Sequence, residues 1–228
     1  MFGKNPIRKQ ELRTDEHLWV QEVFRTVQGE GPRAGQPAIF IRLSGCNLAC
    51  KFCDTEFESG TMRPWREVAQ AASRLVPEAW PEPLFVLTGG EPFRQDIRPL
   101  VSDLLLRGVV QIETAGTLWL EGLRNNAELV VSPKTGSVHA AIAARATAWK
   151  YILRAGEVAL DGLPAVNPQT GVKQNLARRG TSAVPVYVQP CDDHDDEKNR
   201  ANLAAAKDSA LTFGYRLSLQ QHKILELP

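Results

Sequence analysis

Three of the four cysteines stand in one eight-residue stretch, Cys46-Asn47-Leu48-Ala49-Cys50-Lys51-Phe52-Cys53, with the spacing C-x3-C-x2-C. Thiolates this close on one loop can hold three corners of a cubane iron–sulfur cluster. They do not complete a tetrahedral zinc site, which takes four protein ligands. Nor do they complete a closed electron-transfer cluster, which takes four cysteines. Three ligands leave one iron open to a small molecule. Buried free thiols are the plain alternative, since Cys is among the most buried residue types, but three in eight residues exceeds what packing asks for. Cys191 lies far along the chain. As a fourth ligand it would close the open iron, so it reads as a buried or pocket-lining thiol.

Other polar stretches follow apolar runs. Gln28-Gly29-Glu30-Gly31-Pro32 makes a tight turn where backbone can approach a ligand, although alone it is no more than a hairpin turn. Arg42 interrupts the apolar run at 38–43. It stands four residues before Cys46, where its planar fork suits a carboxylate as well as a structural ion pair. Asp54-Thr55 after the last cysteine can cap a helix or offer oxygen to a hard cation. Thr88-Gly89-Gly90-Glu91-Pro92 brings backbone close to a bound group without Cβ atoms in the way. Glu113-Thr114-Ala115-Gly116-Thr117, Ser132-Pro133-Lys134, Gln189-Pro190 and Gln220-Gln221-His222-Lys223 complete the set.

The elements that must position these motifs follow from periodicity. Strands are predicted at 18–27, 38–43, 84–87, 109–112, 129–131, 149–153, 184–188 and 217–219, and helices at 65–76, 99–106 and 195–213. Residues 155–182 are irregular. Strands and helices largely alternate, which argues for an α/β fold with a mostly parallel sheet. The polar motifs fall after strands, on the rim where such barrels keep their active sites. About six parallel strands, against the eight of a closed barrel, predict an incomplete, open (β/α) barrel. Residues 1–17 are expected to form a mobile or extended arm and 18–228 a single domain.

A hydrophobic content of 43% with 23% charged residues suits a globular chain with one core. The formal charge of +1 points to no nucleic acid or other polyelectrolyte partner. There is no apolar run of membrane-crossing length, no signal-peptide core in residues 1–13 and no disulfide scaffold. A reducing cytoplasm suits clustered thiols, and no membrane partner is expected.

The cysteine loop resembles the radical S-adenosylmethionine (SAM) enzymes, whose signature is this spacing with an aromatic residue before the third cysteine, here Phe52. A narrower resemblance lies in TVQGEGPRAGQPAIFIRLSGCNLACKFCDT, which is similar to the 7-carboxy-7-deazaguanine synthases, the radical SAM family often called QueE. TGGEP, ETAGT, SPK, KYIL, VQP and HK follow in the family's order. Residues 135–182 match poorly, and Ala115 stands where Asn is common. The resemblance implies a [4Fe–4S] cluster whose open iron binds SAM, reductive formation of a 5′-deoxyadenosyl radical, and hydrogen abstraction from C6 of 6-carboxy-5,6,7,8-tetrahydropterin. Ring contraction with loss of ammonia then gives 7-carboxy-7-deazaguanine, a precursor of 7-deazapurines such as queuosine. SAM is regenerated and Mg²⁺ assists.

Carried over by position, the resemblance makes Cys46, Cys50 and Cys53 the cluster ligands and Thr55 the Mg²⁺ ligand. Phe52, Asp54, Gly90, Ser132, Pro133, Lys134, Gln189, Pro190, Cys191 and Asp192 become SAM contacts. Val27, Gln28, Gly29, Glu30, Arg42, Thr88, Glu113, His222 and the terminal carboxylate of Pro228 become pterin contacts. No side chain is assigned as a catalytic acid or base, because the cofactor takes the hydrogen. A homodimer and an electron donor such as flavodoxin or ferredoxin are further implications. The competing readings are a glycyl-radical-activating enzyme with a protein substrate, and an iron–sulfur or zinc module with Cys191 as fourth ligand.

Overall fold

The computed structural model describes residues 5–13, 15–53, 55–180 and 183–228. β1 (His17–Val27) and β2 (Pro37–Leu43) form an antiparallel hairpin, and β3 (Thr61–Pro64) pairs antiparallel with β1. From β2 onward every pairing is parallel, through β4 (Leu84–Gly89), β5 (Val109–Thr114), β6 (Glu128–Val131), β7 (Ala146–Leu153), β8 (Val186–Pro190) and β9 (Arg216–Leu217). The strand order is β3-β1-β2-β4-β5-β6-β7-β8-β9, so β3 and β9 are edges and the barrel stays open. The expected six parallel strands are β2 and β4–β8, and the two-residue β9 extends the run at its edge.

α1 (Trp65–Arg74), α2 (Arg98–Leu104) and α4 (Asp196–Phe213) fall on the segments that helical spacing marks, ending at most two residues from the expected bounds, and Asp195 caps α4 by accepting from the Glu197 and Lys198 amides. α3 (Ala140–Arg145) and α5 (Gln221–Ile224) are not marked in the sequence. Each is too short for a 3.6-residue period to show. The strand expected at 184–188 sits two residues later, and the one expected at 217–219 is Arg216–Leu217. β3 carries no apolar alternation and borrows its strand geometry from β1.

Alternation along the parallel strands decides where chemistry can sit, because successive side chains point to opposite faces. Outward residues such as Ile39, Ile41, Phe85, Leu87, Val110, Ile112, Trp149 and Tyr151 join the main core with Val68 and Ala72 of α1 and Leu100 and Leu104 of α2. On five of the parallel strands inward positions start apolar and turn polar, while β6 keeps apolar Val130 inward. β2 reads Ala38, Phe40, Arg42; β4 reads Leu84, Val86, Thr88; β5 reads Val109, Gln111, Glu113; β7 reads Ala148, Lys150; β8 reads Tyr187, Gln189. The apolar members form two small clusters at the N-terminal end of the sheet. The polar members therefore gather at its C-terminal rim. Among the described residues, no helix is long and apolar enough to cross a membrane.

Residues 5–13 run against the cysteine loop. The Arg8 amide donates to the Cys46 carbonyl at 2.7 Å, and the Glu11 amide to the Arg94 carbonyl at 2.7 Å. Arg94 is 5% exposed and donates in turn to the Ser44 carbonyl. A buried guanidinium thus fixes the strand end from which the cysteine loop departs.

Candidate active site

A cavity of about 370 Å³ opens at the C-terminal rim, within the size range of small-molecule sites. Its wall includes Val27, Gln28, Glu30, Arg42, Thr88, Glu113, His222 and Pro228, together with Cys46, Cys50, Cys53 and Thr55. Phe52, Gly90, Ser132, Lys134, Gln189, Pro190, Cys191 and Asp192 line it too. Residues from position 27 to position 228 thus meet in one space. Gly29 and Pro133, expected among the contacts, do not line it. Asp54 lies outside the described residues.

Gly29 acts one layer back. A Cβ there would stand 2.1 Å from His222 Nδ1 and 2.9 Å from the His222 backbone nitrogen. Glycine lets α5 dock against the turn, where the Gln221 amide donates to the Gly29 carbonyl at 3.1 Å. Pro133 is the rigid link between Ser132 and Lys134, whose ammonium donates to the Ser132 carbonyl at 2.9 Å. Gly90 does line the cavity, yet its missing Cβ makes room for protein: the Gly45 carbonyl oxygen would be 1.9 Å away. The Gly-Gly pair therefore seats the cysteine loop as well as any ligand.

The floor is a buried ion cluster. Lys150 Nζ donates to Glu30 Oε2 at 2.5 Å and to Glu113 Oε2 at 2.8 Å. Gln189 and Gln220 donate to Glu30 Oε1 at 3.1 and 2.9 Å. Gln111 and Gln28 donate to Glu113 Oε1 at 2.7 and 3.4 Å. Burial alone would raise the Glu30 pKa, but the adjacent Lys150 charge and the donated hydrogen bonds outweigh it and hold the carboxyl at about 2. Burial disfavours the Lys150 charge, and its two carboxylates more than restore it, so its pKa is raised. Two carboxylates on one ammonium leave one net negative charge. Three donors sit on each carboxylate, against about four lone-pair sites apiece, so acceptor capacity remains for a ligand's N–H groups.

This cluster makes a pH prediction. A carboxyl held at about 2 against an ordinary 4.5 stabilises the fold above pH 4.5, and that contribution fades as pH falls towards 2. Thermal melting of the protein and of Glu30→Gln across this range should show the Tm gap between them closing as pH falls. A gap independent of pH would mean that Glu30 is not held ionised.

Lys150 was not among the residues expected at the site, although a lone cation in the apolar stretch at 146–153 was a visible signal. Glu91, within TGGEP, is not among the expected contacts either. It is 1% exposed, and accepts from Thr114 Oγ1 at 2.7 Å, the Phe93 amide at 3.1 Å and the Ala115 amide at 2.8 Å. Burial raises its pKa. It ties the end of β4 to the end of β5, and because Ala115 contributes only its backbone, alanine suffices there.

Arg42 is ion-paired with Glu22 and lies over the Phe24 ring, 5.0 Å from its centroid. The terminal residue reaches the cavity, with the Pro228 carbonyl oxygen accepting from Thr26 Oγ1 at 2.9 Å. Lys223 pairs with Asp192 at 2.8 Å and so connects α5 to the loop after β8. Asn202 of α4 holds that loop, donating to the Cys191 carbonyl and Asp193 Oδ2, both at 2.9 Å.

The three clustered thiols face the cavity beside Lys134 and Phe52, with Lys134 Nζ 5.9 Å from the Phe52 ring centroid. Burial, helped by the Glu91 charge, pushes the Cys46 thiol up to about 12, and burial raises Cys50. Loading iron must therefore displace protons. Among the described residues, no three His, Cys, Asp or Glu side chains gather round one point as a single ion requires. Cys46, Cys50 and Cys53 all line this one cavity, and three thiols on one loop are the donor set that a cubane cluster with one open iron would take. Cys191 is 3% exposed, at the far end of β8, with its sulfur 3.9 Å from Asp193 Oδ1.

No family model matches the chain. The 7-carboxy-7-deazaguanine synthase of Rhodospirillum rubrum is 46% identical to it over 236 residues, with both chains covered in full. That of Rickettsia prowazekii is 39% identical and covers 99% of this chain and 95% of its own. The chain belongs to the 7-carboxy-7-deazaguanine synthases. Members of this family are radical SAM lyases of 7-deazapurine synthesis, which implies a [4Fe–4S] cluster and SAM. The Nitratidesulfovibrio vulgaris synthase, 35% identical over 92% of the chain, is a further relative. The fold agrees with that of QueE from Escherichia coli, at a TM-score of 0.65 and 23% identity over 90% of this chain and 95% of that one. Membership sets aside both the glycyl-radical-activating enzyme and the structural metal module.

Proposed function

We propose that this chain converts 6-carboxy-5,6,7,8-tetrahydropterin to 7-carboxy-7-deazaguanine with loss of ammonia, and that the cavity at the strand ends is where it does so. The observation that carries this reading is the Glu30–Lys150–Glu113 cluster standing in the same cavity as three clustered thiols. Cys46, Cys50 and Cys53 would hold the cluster, and Phe52, Gly90, Ser132, Lys134 and residues 189–192 the SAM. Bound together, cluster and SAM supply one-electron hydrogen abstraction.

The chain's own groups bind, orient and exclude water. The pterin edge that carries the amino group and ring N–H is a row of donors, which suits the spare acceptor capacity of Glu30 and Glu113. The substrate carboxylate suits Arg42, with Thr55 as the oxygen ligand of an assisting Mg²⁺. Phe24 and Phe40 give the cavity apolar wall, and His222 and Pro228 bring the C-terminal segment across it. Holding the reacting carbon and hydrogen at near-attack distance is then a matter of positioning, and no side chain need move a proton in the first step. A homodimer, a cytoplasmic setting and a flavodoxin- or ferredoxin-type electron donor complete the reading.

The test is one anaerobic assay after reconstitution with iron and sulfide. With SAM, reductant, Mg²⁺ and the pterin present, product mass should appear, and it should vanish when SAM is omitted. Cleavage of SAM with the pterin intact would overturn the substrate assignment. Thr55→Ala should blunt the response of turnover to added Mg²⁺, and an unchanged Mg²⁺ titration would remove Thr55 from the site.

A further inference from the structure

The irregular stretch, described over 155–180, folds back on the cysteine loop. Ala165 and Asn167 anchor it through backbone bonds to Glu157 at 2.8 Å and to Val172 at 2.9 Å. Asn167, 8% exposed, accepts from the Gln169 amide at 2.8 Å and donates to Gln174 Oε1 at 2.8 Å, so the tip at 168–171 is a braced turn. That tip meets the loop at four points. The Lys51 amide donates to the Pro168 carbonyl at 2.9 Å, and Lys51 Nζ to the Thr170 carbonyl at 2.8 Å. Gln169 Oε1 accepts from the Ala49 amide at 2.6 Å, and Gln169 Nε2 reaches Cys50 Sγ at 2.8 Å.

The orientation of the Gln169 amide is decided by chemistry. The Ala49 N–H can only donate, so the oxygen must face it. The NH₂ group is then left facing the sulfur. We propose that Gln169 is a positioning residue of the reaction centre, which donates a hydrogen bond to the Cys50 thiolate of the cluster and raises the cluster's reduction potential. This inference rests on the reading that Cys46, Cys50 and Cys53 hold a [4Fe–4S] cluster. The physical reason is that reduction adds negative charge to the cluster and its sulfurs. A donor aimed at one sulfur stabilises the reduced form more than the oxidised one, and such bonds are among the levers that set cluster potentials. The irregular segment at 155–180 thereby carries that donor to the loop.

Two variants separate this role from a packing role. Gln169→Glu is nearly isosteric and keeps an oxygen for the Ala49 N–H, but faces the sulfur with an acceptor. Gln169→Leu removes both bonds. The measurement is an electron paramagnetic resonance redox titration of the reconstituted protein. The midpoint should fall in the order wild type, Gln169→Leu, Gln169→Glu. The Leu variant should drop by about 59 mV, tenfold less reduced cluster at a fixed potential. Glutamine-side-chain ¹⁵N labelling gives a readout on the wild-type holoprotein, in which pulsed resonance of the reduced cluster should show a weak nitrogen coupling. Loaded clusters with unchanged midpoints, or no such coupling, would overturn the inference. Failure of the underlying reading looks different: iron and sulfide would not be retained by the wild type at all.

Discussion

Lys150→Met should be among the most damaging single changes in this protein. It removes the ammonium shared by Glu30 and Glu113, whose side chains are 17% and 13% exposed while that of Lys150 is 7% exposed. Breaking a buried ion pair by deleting one partner costs about 3–5 kcal/mol, because the remaining charge has lost its compensation. Here two carboxylates are left facing each other. Thermal or denaturant unfolding should report a loss of that order at pH 7. The sign of the pH dependence is a second check. Without Lys150 the Glu30 carboxyl loses the neighbouring charge that holds its pKa down, so the penalty is greatest where Glu30 is ionised and shrinks as falling pH protonates it. The variant should therefore regain stability relative to the wild type on acidification from pH 7 to pH 5. A constant deficit would mean that Lys150 matters through packing alone. In the loaded enzyme the KM for the pterin should rise, because disordered carboxylates no longer present a fixed acceptor edge.

Cys46→Ala should abolish turnover and cut retained iron while leaving the apoprotein folded. The loop backbone is held without the thiol: the Arg8 amide bonds to the Cys46 carbonyl at 2.7 Å and the Glu91 amide to the Gly45 carbonyl at 3.0 Å. Circular dichroism and melting of the apo variant should match the wild type closely, whereas iron analysis after reconstitution should not. Cys191→Ala is the contrast. Its sulfur sits buried at the end of β8 beside Asp193, so its removal should leave a small cavity and a loaded cluster. Loss of the cluster in Cys191→Ala would restore the four-ligand reading.

Much of the site could be read along the chain because its residues follow strands. A parallel strand rich in Val, Ile and Leu is easy to see, and whatever polar group follows it lies on the rim. Glu30, Glu113, Gln189 and His222 are all legible that way. Lys150 and Gln111 are not, because they sit deeper, three residues before the ends of β7 and β5, whereas Glu113 and Gln189 stand next to last in β5 and β8. Glu91 is hidden because TGGEP reads as a ligand-binding turn, whereas its carboxylate bonds to the β5 loop. α5 is too short to leave a pattern. The irregular stretch at 155–180 shows no periodicity, since its order comes from Asn167, Gln169 and their contacts to the cysteine loop.

By itself, then, the sequence determined the three clustered thiols that we propose as cluster ligands, the alternation of strands and helices, and the rim on which the polar motifs lie. Those features are local: thiol spacing within eight residues, apolar runs of strand length, glycines at turns. Only the tertiary structure decided that Glu30 and Glu113 share one ammonium, that α5 docks on Gly29, that the Pro228 end reaches Thr26, and that Gln169 bears on Cys50. Each of these joins positions 37 to more than 200 residues apart. Partners that distant leave no mark on one another in a single chain. They are chosen by strand order and register, which bring the inward polar positions of separate strands to a common depth in the sheet.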